Sequence, residues 1–134
     1  MEEFDIIAER FVGRFNRQQQ LLPAEALVSR AIVDNGFLTG FFNVDMRQYE
    51  CGRFNTLHYP LTKYQAMIML GRVTHLPVIL VVKFDDLIAW LDITTVGGVK
   101  IKDAKKLDRK EDEDEPTGEK MVHLPIDIFQ FIVE

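Results

Sequence analysis

Cys51 is the one cysteine in 134 residues. No disulfide can therefore form within the chain, and a thiolate-rich zinc site is excluded. Long apolar runs are missing too. The longest, Leu76 to Val82, has seven residues, far short of the roughly 20 needed to cross a bilayer. Met1 to Asp5 is acidic and no apolar signal core follows it, so a cytoplasmic, non-membrane protein is expected. Histidine is scarce: His58, His75 and His123 fall on separate predicted elements, none at metal-ligand spacing from another. That speaks against a histidine-based zinc or iron site. Nor is there a basic excess. Asp and Glu number 21 against 16 Lys and Arg, a formal charge of −5, so nonspecific phosphate binding over the whole surface is disfavoured.

What is present is enough for one packed core. Hydrophobic residues make up 47% of the chain and ten are phenylalanines, whereas a disordered chain is poorer in large apolar groups. Neither a repeat nor an interdomain linker interrupts the pattern, and one mixed α/β domain is expected. Its segments are an amino-terminal helix (1–20), a core (22–96), a charged excursion (97–120) and a carboxy-terminal strand and helix (121–134).

Phe4, Ile7, Phe11, Val12 and Phe15 recur at helical spacing and predict a helix over residues 3–17. Arg10, Arg14 and Arg17 form a stripe on it, suited to DNA or an acidic partner, or else a solvated face. Pro23, the apolar face of Leu27, Val28, Ala31 and Ile32, and the stop signal Asn35-Gly36 predict a second helix ending near Asp34. Residues 37–61 are aromatic and β-favouring, with Cys51-Gly52 as a turn between strands. A helix capped by Thr62 follows, carrying Tyr64, Met67, Ile68 and Val73. The continuous run Val78 to Val82 then reads as a strand covered on both faces, and Leu87 to Ile93 returns beside it after Asp85-Asp86.

Metal-dependent phosphodiester cleavage needs two or three carboxylates converging on a cation, with a lysine or similar donor nearby. On a sheet, an acid-x-lysine pair meets this need, because alternate residues of a strand share a face. The aromatic β region carries Asp45, Arg47 and Glu50; the bland alternative is that they form its solvated side. A literal acid…acid-x-lysine match, Asp92 with Asp103-Ala104-Lys105, is followed by no helix and buried strand and is set aside. Gly97-Gly98 lacks phosphate-loop spacing and reads as a turn.

The order of elements, the segment His75-Leu76-Pro77-Val78-Ile79-Leu80-Val81-Val82-Lys83-Phe84-Asp85-Asp86, and the tail Lys106 to Glu115 with Met121 to Ile126 together resemble the PD-(D/E)XK, restriction-endonuclease-like superfamily. The similarity is to its small phage-type members. It implies a mixed central β-sheet flanked by helices with an α-β-β-β-α-β core, of phage or mobile-element origin, acting on DNA by Mg²⁺-dependent hydrolysis. Asp45-Met46-Arg47 stands where the family carries acid-x-lysine, and arginine cannot serve as a base. Either that is the motif, or Asp45 is a lone first acid and Glu50, or a residue on the Arg53 to His58 strand (which has no carboxylate), supplies the rest. In both versions Asp45 and Glu50 hold Mg²⁺, while Arg47 and Lys63, or Gln65, reach the phosphate. The competing expectation is a catalytically dead version of this fold, or an unrelated α/β module, that works as a homodimer or on a protein partner, with no small-molecule cofactor.

Overall fold

The computed structural model describes residues 3–103 and 120–133. Helix α1 spans Glu3–Arg14, with Glu3 and Asp5 in its first turn and Arg14 in its last, matching the helix dipole. It stops before residue 17 because Asn16 adopts a left-handed φ of 58°, and Arg17 N–H bonds back to the Val12 carbonyl. Strand β1 is Gln18–Leu21.

The predicted second helix is absent. Residues 22–29 form turns and bends, and Arg30–Asp34 is strand β2. Asn35 and Gly36, at φ 52° and 85°, form the tight turn of a hairpin into β3, Phe37–Met46. Two consecutive left-handed residues match the right-handed twist of paired strands, so Asn-Gly joins strands here instead of closing a helix.

Strand β4 (Thr56–Pro60) leads directly into α2 (Leu61–Thr74), whose cap position is Pro60; Thr62 lies inside the helix and does not cap it. The remaining strands are β5 (Val78–Lys83), β6 (Leu87–Asp92), β7 (Lys100–Asp103), β8 (Lys120–Pro125) and β9 (Gln130–Val133). In place of the expected carboxy-terminal helix there is one 3-10 turn, Ile126–Ile128, between β8 and β9. The tail segment 106–115 lies outside the described residues, as does most of the charged excursion.

The main sheet runs β1-β2-β3-β5-β6-β9. Its one parallel pair is β3–β5, in register from Phe41↔Val78 to Met46↔Lys83, with α2 as the crossover. The core order helix, three strands, helix, strand is therefore present. Its meander is β1-β2-β3 and begins at Gln18, well before the region the sequence suggested. Strand β4 does not form a hairpin with β3; it joins a second sheet, β4-β8-β7.

Three layers result. Ile7, Phe11 and Val12 of α1 pack against Phe42, Ile79, Val81 and Ile88 on one face of the main sheet. The Phe11 and Phe42 rings are 5.3 Å apart, and truncating either buried ring to alanine costs about 3–5 kcal/mol. On the other face, Val78, Leu80 and Val82 pack against Tyr64 and Met67 of α2 and against Leu57, Val122 and Leu124 of the small sheet. Strand β5 is covered on both sides, as its unbroken apolar run requires.

Candidate functional site

Strand β3 alternates. Phe42, Val44 and Met46 pack towards α1, so Phe41, Asn43 and Asp45 face the α2 side. Asn43, Asp45, Tyr59 and Lys63 line a cavity of about 550 Å³ there, together with Ser29 and the β1–β2 connection. It lies beside the parallel β3–β5 pair, where α2 begins.

The oxygens of Asn43 and Asp45 in it already accept hydrogen bonds. Asn43 Oδ1 accepts from both the backbone N–H of Ser29 (2.8 Å) and its hydroxyl (2.9 Å). Asp45 Oδ1 accepts from the Met46 N–H at 2.9 Å. Its other oxygen, Oδ2, accepts from Arg47 Nη2, also at 2.9 Å, and the same guanidinium nitrogen donates to the His58 carbonyl. Burial by itself would lower the Arg47 pKa; the hydrogen bond and charge of Asp45, aided by Tyr49, more than reverse this and raise it. Arg47 is thus a permanent cation clamped to Asp45, tying the end of β3 to β4. Tyr59 is 3% exposed. Burial pushes its phenol up to about 12, with Asp45 adding to the rise while an Asn43 hydrogen bond and Arg47 oppose it.

Asp45 and Lys63 therefore share one cavity, with Arg47 bonded to Asp45. Glu50 does not join them: it lines a separate concavity beyond the end of β3 with Tyr49, Cys51, Arg53 and Asp85. That loop is fixed to the β5–β6 turn by Cys51 N–H to Asp86 (2.9 Å) and Asp85 N–H to the Tyr49 carbonyl (3.0 Å). Gln65 is exposed on α2. Among the described residues, no group of three or more His, Cys, Asp or Glu is arranged to hold a metal.

The arginine stripe lies elsewhere. Arg10 and Arg14 are exposed on α1, which covers the sheet face opposite the cavity. Arg17 is past the helix end, bonded to the Phe15 and Asn16 carbonyls and 3.7 Å from Asp34. Asp92, half of the literal acidic match, caps a 3-10 turn through Thr94.

Sequence reasoning missed several participants. Ser29 and Asn43 are neutral, and only strand pairing brings them together across 14 residues. Arg30, 6% exposed, bonds Asp5 at 2.9 Å and Gln19 at 3.0 Å, fastening α1 to the meander. His58 and His123 are direct cross-strand partners with rings stacked 4.0 Å apart, a pairing their separation in sequence hides. Among the described residues no helix is long and apolar enough to span a membrane.

The comparisons with known proteins agree with this architecture. No protein of curated function matches the chain. Among solved structures it is similar to Hjc of Archaeoglobus fulgidus, a Holliday junction resolvase from an archaeal hyperthermophile. The TM-score is 0.57 at 8% identity, over 93% of this chain and 88% of that one; at that identity the likeness shows the fold, which is restriction-endonuclease-like. A family model described as "Phage putative PDDEXK endonuclease" matches residues 2–132, so the chain belongs to that phage PDDEXK family.

Proposed function

We propose that this chain acts on DNA by seating a backbone phosphate in the cavity beside β3, and that it holds DNA there without metal-dependent hydrolysis. The observation that carries this reading is the start of α2. Lys63 stands in its first turn, no acidic residue does, and no side chain caps its N–H groups. A lysine there opposes the helix dipole, an unfavourable placement by about 0.3–1 kcal/mol unless an anion is close. A phosphate at the helix terminus would satisfy both the lysine and the uncapped N–H groups.

The donor set does not fit Mg²⁺. Among the described residues Asp45 is the one carboxylate lining the cavity, each of its oxygens accepts a hydrogen bond, and Arg47 neutralises its charge. Asn43 Oδ1 is taken twice by Ser29. Mg²⁺ coordination by Asp45 and Glu50 therefore has no common pocket to occur in, and no hydrolytic step is assigned to them. With the Asp45–Arg47 pair neutral, Lys63 and the helix terminus leave the cavity attractive to anions. Family membership and the name of the resolvase neighbour support DNA as the ligand class.

Anisotropy of labelled DNA in EDTA tests the reading. Binding should weaken as salt rises, and Lys63→Ala should weaken it further while reducing the salt slope by about one. Supercoiled plasmid should remain uncut in Mg²⁺ or Mn²⁺. Binding unaffected by Lys63→Ala, or metal-dependent nicking abolished by Asp45→Ala, overturns the proposal.

A further inference from the structure

The same cavity has a second wall with different chemistry. We infer that it accepts the unpaired base of a single-stranded DNA segment, an inference that rests on the phosphate reading above. The wall is the connection from β1 to β2, which presents Leu21, Leu22, Pro23, Ala26 and Leu27 to the cavity. It is an ordered loop: Leu22 N–H bonds the Ser29 carbonyl at 2.8 Å, Ala26 N–H bonds the Pro23 carbonyl at 3.0 Å, and Val28 is anchored in the core. Two of its leucines nevertheless stand open to solvent, Leu21 at 62% and Leu27 at 51% exposure. Both line the same cavity as Lys63.

An aliphatic wall and a cation in one cavity match the two ends of a nucleotide. The cavity, about 550 Å³, lies within the size range of small-molecule sites and has room for phosphate, sugar and base together. A phosphate held at Lys63 directs the attached sugar and base towards the leucines. In a duplex both faces of a base are covered by its neighbours, so only an unpaired base can lay a face on Leu21 and Leu27. The loop residues lining the cavity carry no charge, so this contact distinguishes stacked from unstacked DNA without reading sequence.

The test compares three labelled DNAs of equal length against the full chain in EDTA: a thymidine strand, the same strand with abasic sites, and a blunt duplex. The thymidine strand should bind about fivefold more tightly than the abasic one, the effect of removing roughly 40 Å² of leucine surface from water. Leu27→Ser, at an exposed position with an unchanged melting temperature as its folding control, should bring the thymidine strand down to the abasic level and leave abasic binding unchanged. Leu21→Ser should act in the same direction. Equal weakening of both strands, preference for the duplex, or tighter binding of the matching RNA strand overturns the inference. Lys63→Ala separates the two readings. If it weakens every DNA while Leu27→Ser is indiscriminate, the phosphate site stands and the base wall falls; if Lys63→Ala changes nothing, both fall.

Discussion

Arg47→Met keeps the aliphatic stem of the side chain and removes its charged fork. Two hydrogen bonds are lost, to Asp45 and to the His58 carbonyl, both at 2.9 Å. A hydrogen bond to a charged group contributes about 1.5–3 kcal/mol when water cannot replace it. Here the side chains of Arg47 and Asp45 are 23% and 31% exposed, so water recovers part of the loss at the carboxylate. The expected cost is about 2–3 kcal/mol, read as a fall in unfolding free energy by urea titration followed by circular dichroism. For a domain of this size it corresponds to a Tm lower by roughly 6–12 °C. Arg47→Lys, which retains the charge but not the planar fork, should cost about half as much. The loss should also depend on Asp45: in an Asp45→Asn background, Arg47→Met should cost at least ~1 kcal/mol less. A change within about 0.5 kcal/mol, the range of an unremarkable surface substitution, would refute the assignment of Arg47 as a clamp between β3 and β4.

Tyr59, with its phenol at about 12 in the folded protein against an ordinary 10, contributes stability that is complete below pH 10 and is lost as pH rises from 10 to 12. The full loss is roughly 2–3 kcal/mol, so Tyr59→Phe should flatten the alkaline limb of a Tm-versus-pH curve; an unchanged limb would show the phenol is not buried as described. Gly40→Ala should destabilise by about 1–3 kcal/mol in urea, because the new Cβ would lie 3.1 Å from the Pro77 carbonyl, which Phe41 N–H holds in place. A neutral result would mean that the β3–β5 approach is looser. Burial and Asp86 raise the Cys51 thiol, so its alkylation by iodoacetamide at pH 8 should be slower than that of glutathione; faster reaction would refute the description of that loop.

The elements legible in the sequence are those whose period was undisturbed. Phe4 to Phe15 marked α1, and the unbroken Val78–Val82 run marked β5, because residues covered on both faces leave no polar break. Residues 22–34 misled for a physical reason. Leu27, Val28, Ala31 and Ile32 have helical spacing, yet Ala31 and Ile32 sit on opposite faces of β2. Asn35-Gly36 satisfies a helix end and a hairpin turn equally well, and only the pairing with β3 decides between them. The site was half legible. Asp45 and Lys63 could be nominated by charge and position, and the structure brings them to one cavity. Glu50 could not be excluded from sequence, since only four residues separate it from Asp45 and the path of the intervening chain is set by contacts with Asp85 and Asp86. Ser29, Asn43 and Tyr59 carry no charge signal, and their grouping is a product of strand register and the second sheet.

The measurement that bears most directly on an anion-binding cavity without a metal is a Mn²⁺ titration followed by the free-ion paramagnetic resonance signal, run in parallel on the unaltered chain and on Asp45→Ala. Carboxylates elsewhere contribute equally to both. Superimposable curves are predicted, because the Asp45 carboxylate is held by Arg47 and the Met46 N–H. One additional Mn²⁺ bound per chain by the unaltered protein, missing from Asp45→Ala, would contradict it.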